Sequence, residues 1–169
     1  MGQILHGQHN RYLFLVPRSG SHAITAAWLQ QHEPANYAIW QTDGFHPARF
    51  LQEQISDYQI PAGVDLAVVA VVVRNPLERF RSMVARHDFA LTEQLAAPMY
   101  RPLPQLPFTH YFRFEDQLQA CAAWLGIDGA LPVLAESDAD DKPTLTPEQE
   151  NRVREIYADD IALWESLRP

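Results

Sequence analysis

Cysteine occurs once in the 169 residues, at Cys121. That excludes an internal disulfide framework and suits a reducing compartment. Lysine also occurs once, at Lys142, so the positive charge is carried almost wholly by arginine. Arginine's planar fork suits bidentate contact with phosphate, although a genomic composition bias would give the same skew. Cations are few: 13 Lys and Arg stand against 21 Asp and Glu, a net charge of -8. Broad binding to nucleic acid or to an anionic membrane through charge alone is thereby disfavoured. Long apolar runs are missing too, so no membrane span is expected. The first residues, with His6, His9 and Asn10, lack the apolar core of a signal peptide. A cytoplasmic location is expected.

What is present reads as one domain over residues 1–169, with an ordinary hydrophobic fraction of 47% and a charged fraction of 20%. Two apolar runs, Tyr12–Val16 and Leu66–Val73, predict buried strands, and His110–Phe114 predicts a third. The run "LAVVAVVV" does not alternate and is rich in valine, as in a central parallel strand covered on both faces. Each strand is followed by a helical pattern: Ala23–Gln31, Pro76–His87 and Glu115–Leu125. The second has Asn75 as N-cap, Pro76 at the first helical position and Glu78 two residues on. A closing helix opens at "TPEQ", with Thr146 as N-cap, Pro147 at the first helical position and Gln149 at the third, and Val153, Ile156, Tyr157, Ile161, Trp164 and Leu167 mark its apolar stripe. Strands alternating with helices predict an α/β three-layer sandwich with a central parallel sheet. Ligands of such sheets bind at the carboxyl ends of the strands, which singles out the loops after Val16 and Val73.

The first of these loops, "PRSGSH", places Arg18, Ser19, Gly20, Ser21 and His22 where a strand turns into a helix. Backbone N–H groups and hydroxyls at a helix N-terminus form an anion site, although the same residues also make a plain strand-to-helix turn. The spacing of a Walker A loop and its lysine are absent. The second loop, in "VVVRNPLERFRSMVARH", places Arg74 at a buried strand's end and Ser82 two turns into the following helix. An arginine at the mouth and a helix hydroxyl can together grip a second phosphate.

This pair of loops resembles the sulfotransferase superfamily, whose members bind 3′-phosphoadenosine 5′-phosphosulfate (PAPS) through two such motifs in this order. The resemblance implies a P-loop nucleotide hydrolase-like fold. It implies that Arg18, Ser19, Gly20, Ser21 and His22 take the 5′-phosphosulfate, and that Arg74 and Ser82 take the 3′-phosphate. "FRFEDQLQACAAWLGI" and "LTPEQENRVREIYADDIALWESL" look like the strand and closing helix of the family, so the likeness spans nearly the whole chain. Four departures stand out. The chain is short, Arg18 stands where the family often has a lysine, the glycine-rich C-terminal adenosine loop of the hormone sulfotransferases is absent, and Ala23 falls where those enzymes stack an aromatic on adenine.

The resemblance implies transfer of a sulfuryl group from PAPS to a hydroxyl or amine of a small-molecule or glycan acceptor, leaving 3′-phosphoadenosine 5′-phosphate. Arg18 would stabilise the leaving phosphate, and it stays charged at any working pH. His46, in "TDGFHPARF", is the candidate base; a His-Pro turn ahead of a helix from Ala48 is its plainer role. His22 would orient a phosphate or pack. Trp40, Phe45, Phe89 and Tyr100 could line an acceptor pocket or serve as core, and Cys121 is expected in the core. No histidine spacing suggests a metal site. Two other readings stand beside this one: a nucleotide-binding module of the same fold without turnover, and, more weakly, a small-molecule P-loop kinase.

Overall fold

A computed structural model of the chain describes residues 3–16, 18–43, 68–85, 88–93, 102–105, 108–132 and 142–167. Among the described residues the strands are β1 (Gln3–His6), β2 (Tyr12–Leu15), β3 (Val69–Val73) and β4 (His110–Arg113). The helices are α1 (Ser21–His32), α2 (Pro34–Asp43), α3 (Pro76–Val84), α4 (Phe114–Trp124), α5 (Pro147–Ile156) and α6 (Ala158–Ser166). Four strands form one sheet in the order β1-β2-β3-β4. Strands β2, β3 and β4 run parallel, with Phe14 opposite Val71 and Val71 opposite Tyr111.

The alternation of side chains along the strands divides the core into two layers. Leu13 and Leu15 of β2 and Ala70 and Val72 of β3 meet Ile24 and Leu29 of α1 and Cys121 and Leu125 of α4. On the opposite face Tyr12, Val16, Val69, Val71 and Val73 pack with Leu103, Phe108 and Trp164 of α6. All five residues of β3 are buried, as its unbroken valine run requires of a strand covered on both faces. The mixed α/β class and the parallel set of strands agree with the sequence reading. A third cluster, Phe80, Leu145, Val153 and Tyr157, joins α3 to α5.

Three features depart from the sequence reading. Strand β1 was not anticipated, and it pairs antiparallel with β2, so the sheet is mixed at one edge. It is only four residues long, too short for a periodic signal. Its turn back into β2 passes through His9 and Asn10, both with positive φ. Helix α2, which begins at Pro34 directly after Glu33 ends α1, was likewise not anticipated. The closing helix is two helices, because Tyr157 leaves helical geometry at φ -108° and ψ 24°. The side chains of Tyr157 and Asp160 explain the break. Tyr157 is buried under the Arg79 guanidinium, 4.9 Å from its ring, and Asp160 accepts a 2.8 Å hydrogen bond from the Leu103 N–H. The bend sends Val153 into the third cluster and Trp164 against the sheet.

Helix starts follow the sequence closely. Asn75 accepts from the N–H groups of Leu77 (3.0 Å) and Glu78 (3.4 Å). Thr146 and Gln149 form a reciprocal capping box at 3.2 and 2.9 Å. Cys121 is fully buried, and burial pushes its thiol up to about 12. Among the described residues no helix is long and apolar enough to cross a membrane.

Candidate functional site

The loops after β2 and β3 lie side by side because those strands are parallel neighbours. In the first, the chain turns after Val16, whose carbonyl accepts the Ser19 N–H at 3.2 Å. Arg18 and Gly20 both take the left-handed region, at φ 64° and 76°. Helix α1 then starts at Ser21, and the Ile24 N–H donates to the Gly20 carbonyl at 3.1 Å. The first N–H groups of any helix have no partner within it. The N-cap residue here, Gly20, offers no side-chain cap. Ser19 is 2% exposed, and its hydroxyl finds no hydrogen-bond partner among the described residues. Leaving a buried hydroxyl unpaired costs about 1–3 kcal/mol, which a ligand oxygen would recover. Ser21 is also buried, and His22 is half-buried in the first turn of α1.

Gly20 sits directly on α4. A Cβ there would lie 2.6 Å from Leu118 Cδ1 and 3.2 Å from Phe114 Cδ2. The backbone of the loop therefore rests on the first turn and a half of that helix, an approach only glycine permits at this φ.

The second loop reaches across to the first. Arg74 Nη1 donates to the Arg18 carbonyl at 2.8 Å, and the guanidinium lies over the Phe114 ring with its carbon 4.5 Å from the centroid. Burial holds the guanidinium below the ordinary arginine value, opposed by the carboxylates of Glu78 and Glu115. Glu115 accepts the Asn75 N–H at 2.9 Å and the Trp164 indole N–H at 3.1 Å, so it ties this loop to α6. Ser82 is buried on α3, two turns beyond the cap. On the same helix Glu78 binds Arg81 at 2.9 Å and Lys142 at 3.4 Å. Partial burial acts to raise the Glu78 carboxyl, but these two cations outweigh it and hold it below its usual range.

The structure thus brings Arg18, Ser19, Gly20, Ser21 and His22 together with Arg74, and it buries Ser82 on the helix that Arg74 precedes. His46 lies outside the described residues, as do Phe45 and Tyr100 of the aromatic set. Phe89 packs edge-on against Phe80, 5.4 Å between centroids, beside the third core cluster. Phe114 and Glu115 were not singled out from sequence as parts of the site. Their position at the carboxyl end of β4, in the same row as the two loops, is the signal that could have found them. Among the described residues no three His, Cys, Asp or Glu side chains gather as metal ligands.

Compared with known proteins, the chain matches no family model, no curated protein and no solved structure.

Proposed function

We propose that this chain is a PAPS-dependent sulfotransferase, transferring a sulfuryl group to a hydroxyl or amine of a small-molecule or glycan acceptor. The observation that carries the reading is the uncapped start of α1, with the unpartnered buried hydroxyl of Ser19 beside it and Arg74 reaching over from the second loop. A helix N-terminus with an unpartnered buried hydroxyl beside it suits an oxyanion. Arg74, one strand over, supplies a cationic position for a second anionic group, which suits a ligand carrying two of them.

On this reading the first loop holds the 5′-phosphosulfate end, and Arg74 with Ser82 holds the 3′-phosphate. PAPS supplies the sulfuryl group; the acceptor oxygen or nitrogen bonds to sulfur as the bond from sulfur to the bridging phosphate oxygen breaks. The electron pair leaves on that oxygen, and the acceptor's proton goes to a base, expected at His46. Arg18 offers charge to the leaving oxygen, and catalysis rests mainly on positioning and charge stabilisation.

The test is a thermal-shift comparison of 3′-phosphoadenosine 5′-phosphate with AMP and ATP, followed by sulfuryl transfer from PAPS onto a panel of acceptors. The bisphosphate should raise the melting temperature most, without magnesium. Equal shifts for AMP and the bisphosphate would remove the two-phosphate reading. A magnesium-dependent response to ATP would favour a kinase, and tight bisphosphate binding without transfer would favour a binding module. His46→Ala should lower turnover about 10²- to 10⁴-fold with bisphosphate binding unchanged.

A further inference from the structure

We propose that Arg74 is a positioning residue that couples the two loops, its guanidinium holding the Arg18 peptide in the left-handed turn that presents the start of α1. The reading of the site given above assigns Arg74 only to a ligand of its own loop. The geometry gives it a second task, because its one hydrogen bond among the described residues goes to the other loop.

Arg18 is a non-glycine residue at φ 64°. Such a conformation is disfavoured for a residue with a side chain and persists only where the surroundings over-determine it. Its carbonyl is fixed by the Arg74 Nη1 at 2.8 Å, a charge-assisted bond, the stronger kind. The guanidinium is itself held over the Phe114 ring, its carbon 4.5 Å from the centroid. The same ring lies against Gly20, 3.2 Å from where a Cβ would stand, so one aromatic supports both the clasp and the loop it clasps. A planar guanidinium can stack and donate in its plane at once, and it still has donors for an anion; a lysine ammonium cannot do both. An anion that engages Arg74 therefore stiffens the loop that holds the other anionic group. The occupant this suits is a ligand with two anionic groups, and each group should bind better when the other is in place.

The experiment has two arms. In the first, amide hydrogen exchange is followed in the free protein at Ser19 and Ile24, whose N–H groups bond to Val16 and Gly20. Arg74→Lys should speed exchange there at least tenfold, while Val71 and Cys121 in the core exchange as in wild type. Exchange unchanged at Ser19 and Ile24, or raised equally everywhere, would overturn the clasp. Phe114→Leu, which keeps both arginines and removes the supporting ring, should act in the same direction and decides the matter if Arg74→Lys does not fold. The second arm rests on the nucleotide reading and uses calorimetry with AMP, which has no 3′-phosphate, and with 3′-phosphoadenosine 5′-phosphate. Arg74→Lys should weaken AMP at least fivefold and the bisphosphate by more. Loss of bisphosphate affinity with AMP unchanged would make Arg74 a direct ligand only and overturn the coupling. If wild type binds neither nucleotide, the proposed function fails, and the exchange arm still decides the clasp.

Discussion

At Gly20 two constraints meet: a φ of 76° and a packing surface, Leu118, already 2.6 Å from where a side chain would begin. Gly20→Ala should therefore lose about 2 kcal/mol from backbone strain, with a further loss as Leu118 shifts. Urea unfolding reads this as a lower midpoint at unchanged slope. A wild-type midpoint would mean that the loop does not turn this way. Arg18, Ser19, Gly20 and Arg74 were legible because each stands at a strand-to-helix junction that the chain itself marks. Phe114 and Glu115 were not, because neither has a local signature. Phe114 becomes the floor under Arg74, and Glu115 the acceptor of the Asn75 N–H, only after β4 pairs with β3.

Among the elements, the junction of α5 and α6 shows tertiary contacts overriding a local pattern. The apolar stripe from Val153 to Leu167 reads as one helix, and local propensity does not object. The break at Tyr157 follows from the partners of its neighbours. Asp160 is 2% exposed, accepts from the Leu103 N–H and stands 4.0 Å from Arg79 Nη2. Asp160→Ala would leave the Leu103 N–H buried without that acceptor and remove the carboxylate beside Arg79, at a cost of about 2–4 kcal/mol. Asp160→Asn, which keeps a carbonyl oxygen for Leu103, should cost less. Chemical unfolding of both variants measures the difference. Losses no larger than those of an exposed substitution would show that the bend has another cause. The caps at Asn75 and Thr146, by contrast, were read correctly, since their partners lie within three residues.

For the molecule as a whole, a long-range tie joins α3 to the segment before α5. Glu78 meets Lys142, 64 positions away, and Arg81 of its own helix. The carboxyl is held below its ordinary range in the folded chain, so its contribution to stability is present at neutral pH and lost as the pH falls through the folded value. The stability of Glu78→Gln should thus lie below that of wild type at pH 7, and the gap should close below about pH 4, near the ordinary glutamate value. Half-exposed as it is, the group gives a modest gap that shrinks further in salt. Unfolding curves of both proteins across the acid range measure it, and a gap that stays constant with pH would assign the effect to packing rather than charge.

The alternation of β2, β3 and β4 with the helices that follow them, the burial of the valine run and the helix caps were determined by the sequence alone, because each depends on periodicity or on partners a few residues apart. The antiparallel edge strand, the bend at Tyr157 and the clasp of Arg74 on Arg18 were decided only in three dimensions. The edge strand is only four residues long, too short to carry a periodic signal. The bend and the clasp depend on groups far apart in the chain, 56 positions in the last case, and no local pattern encodes which carbonyl a guanidinium will meet. Sequence named the two loops; the parallel pairing of β2 with β3 made them one site.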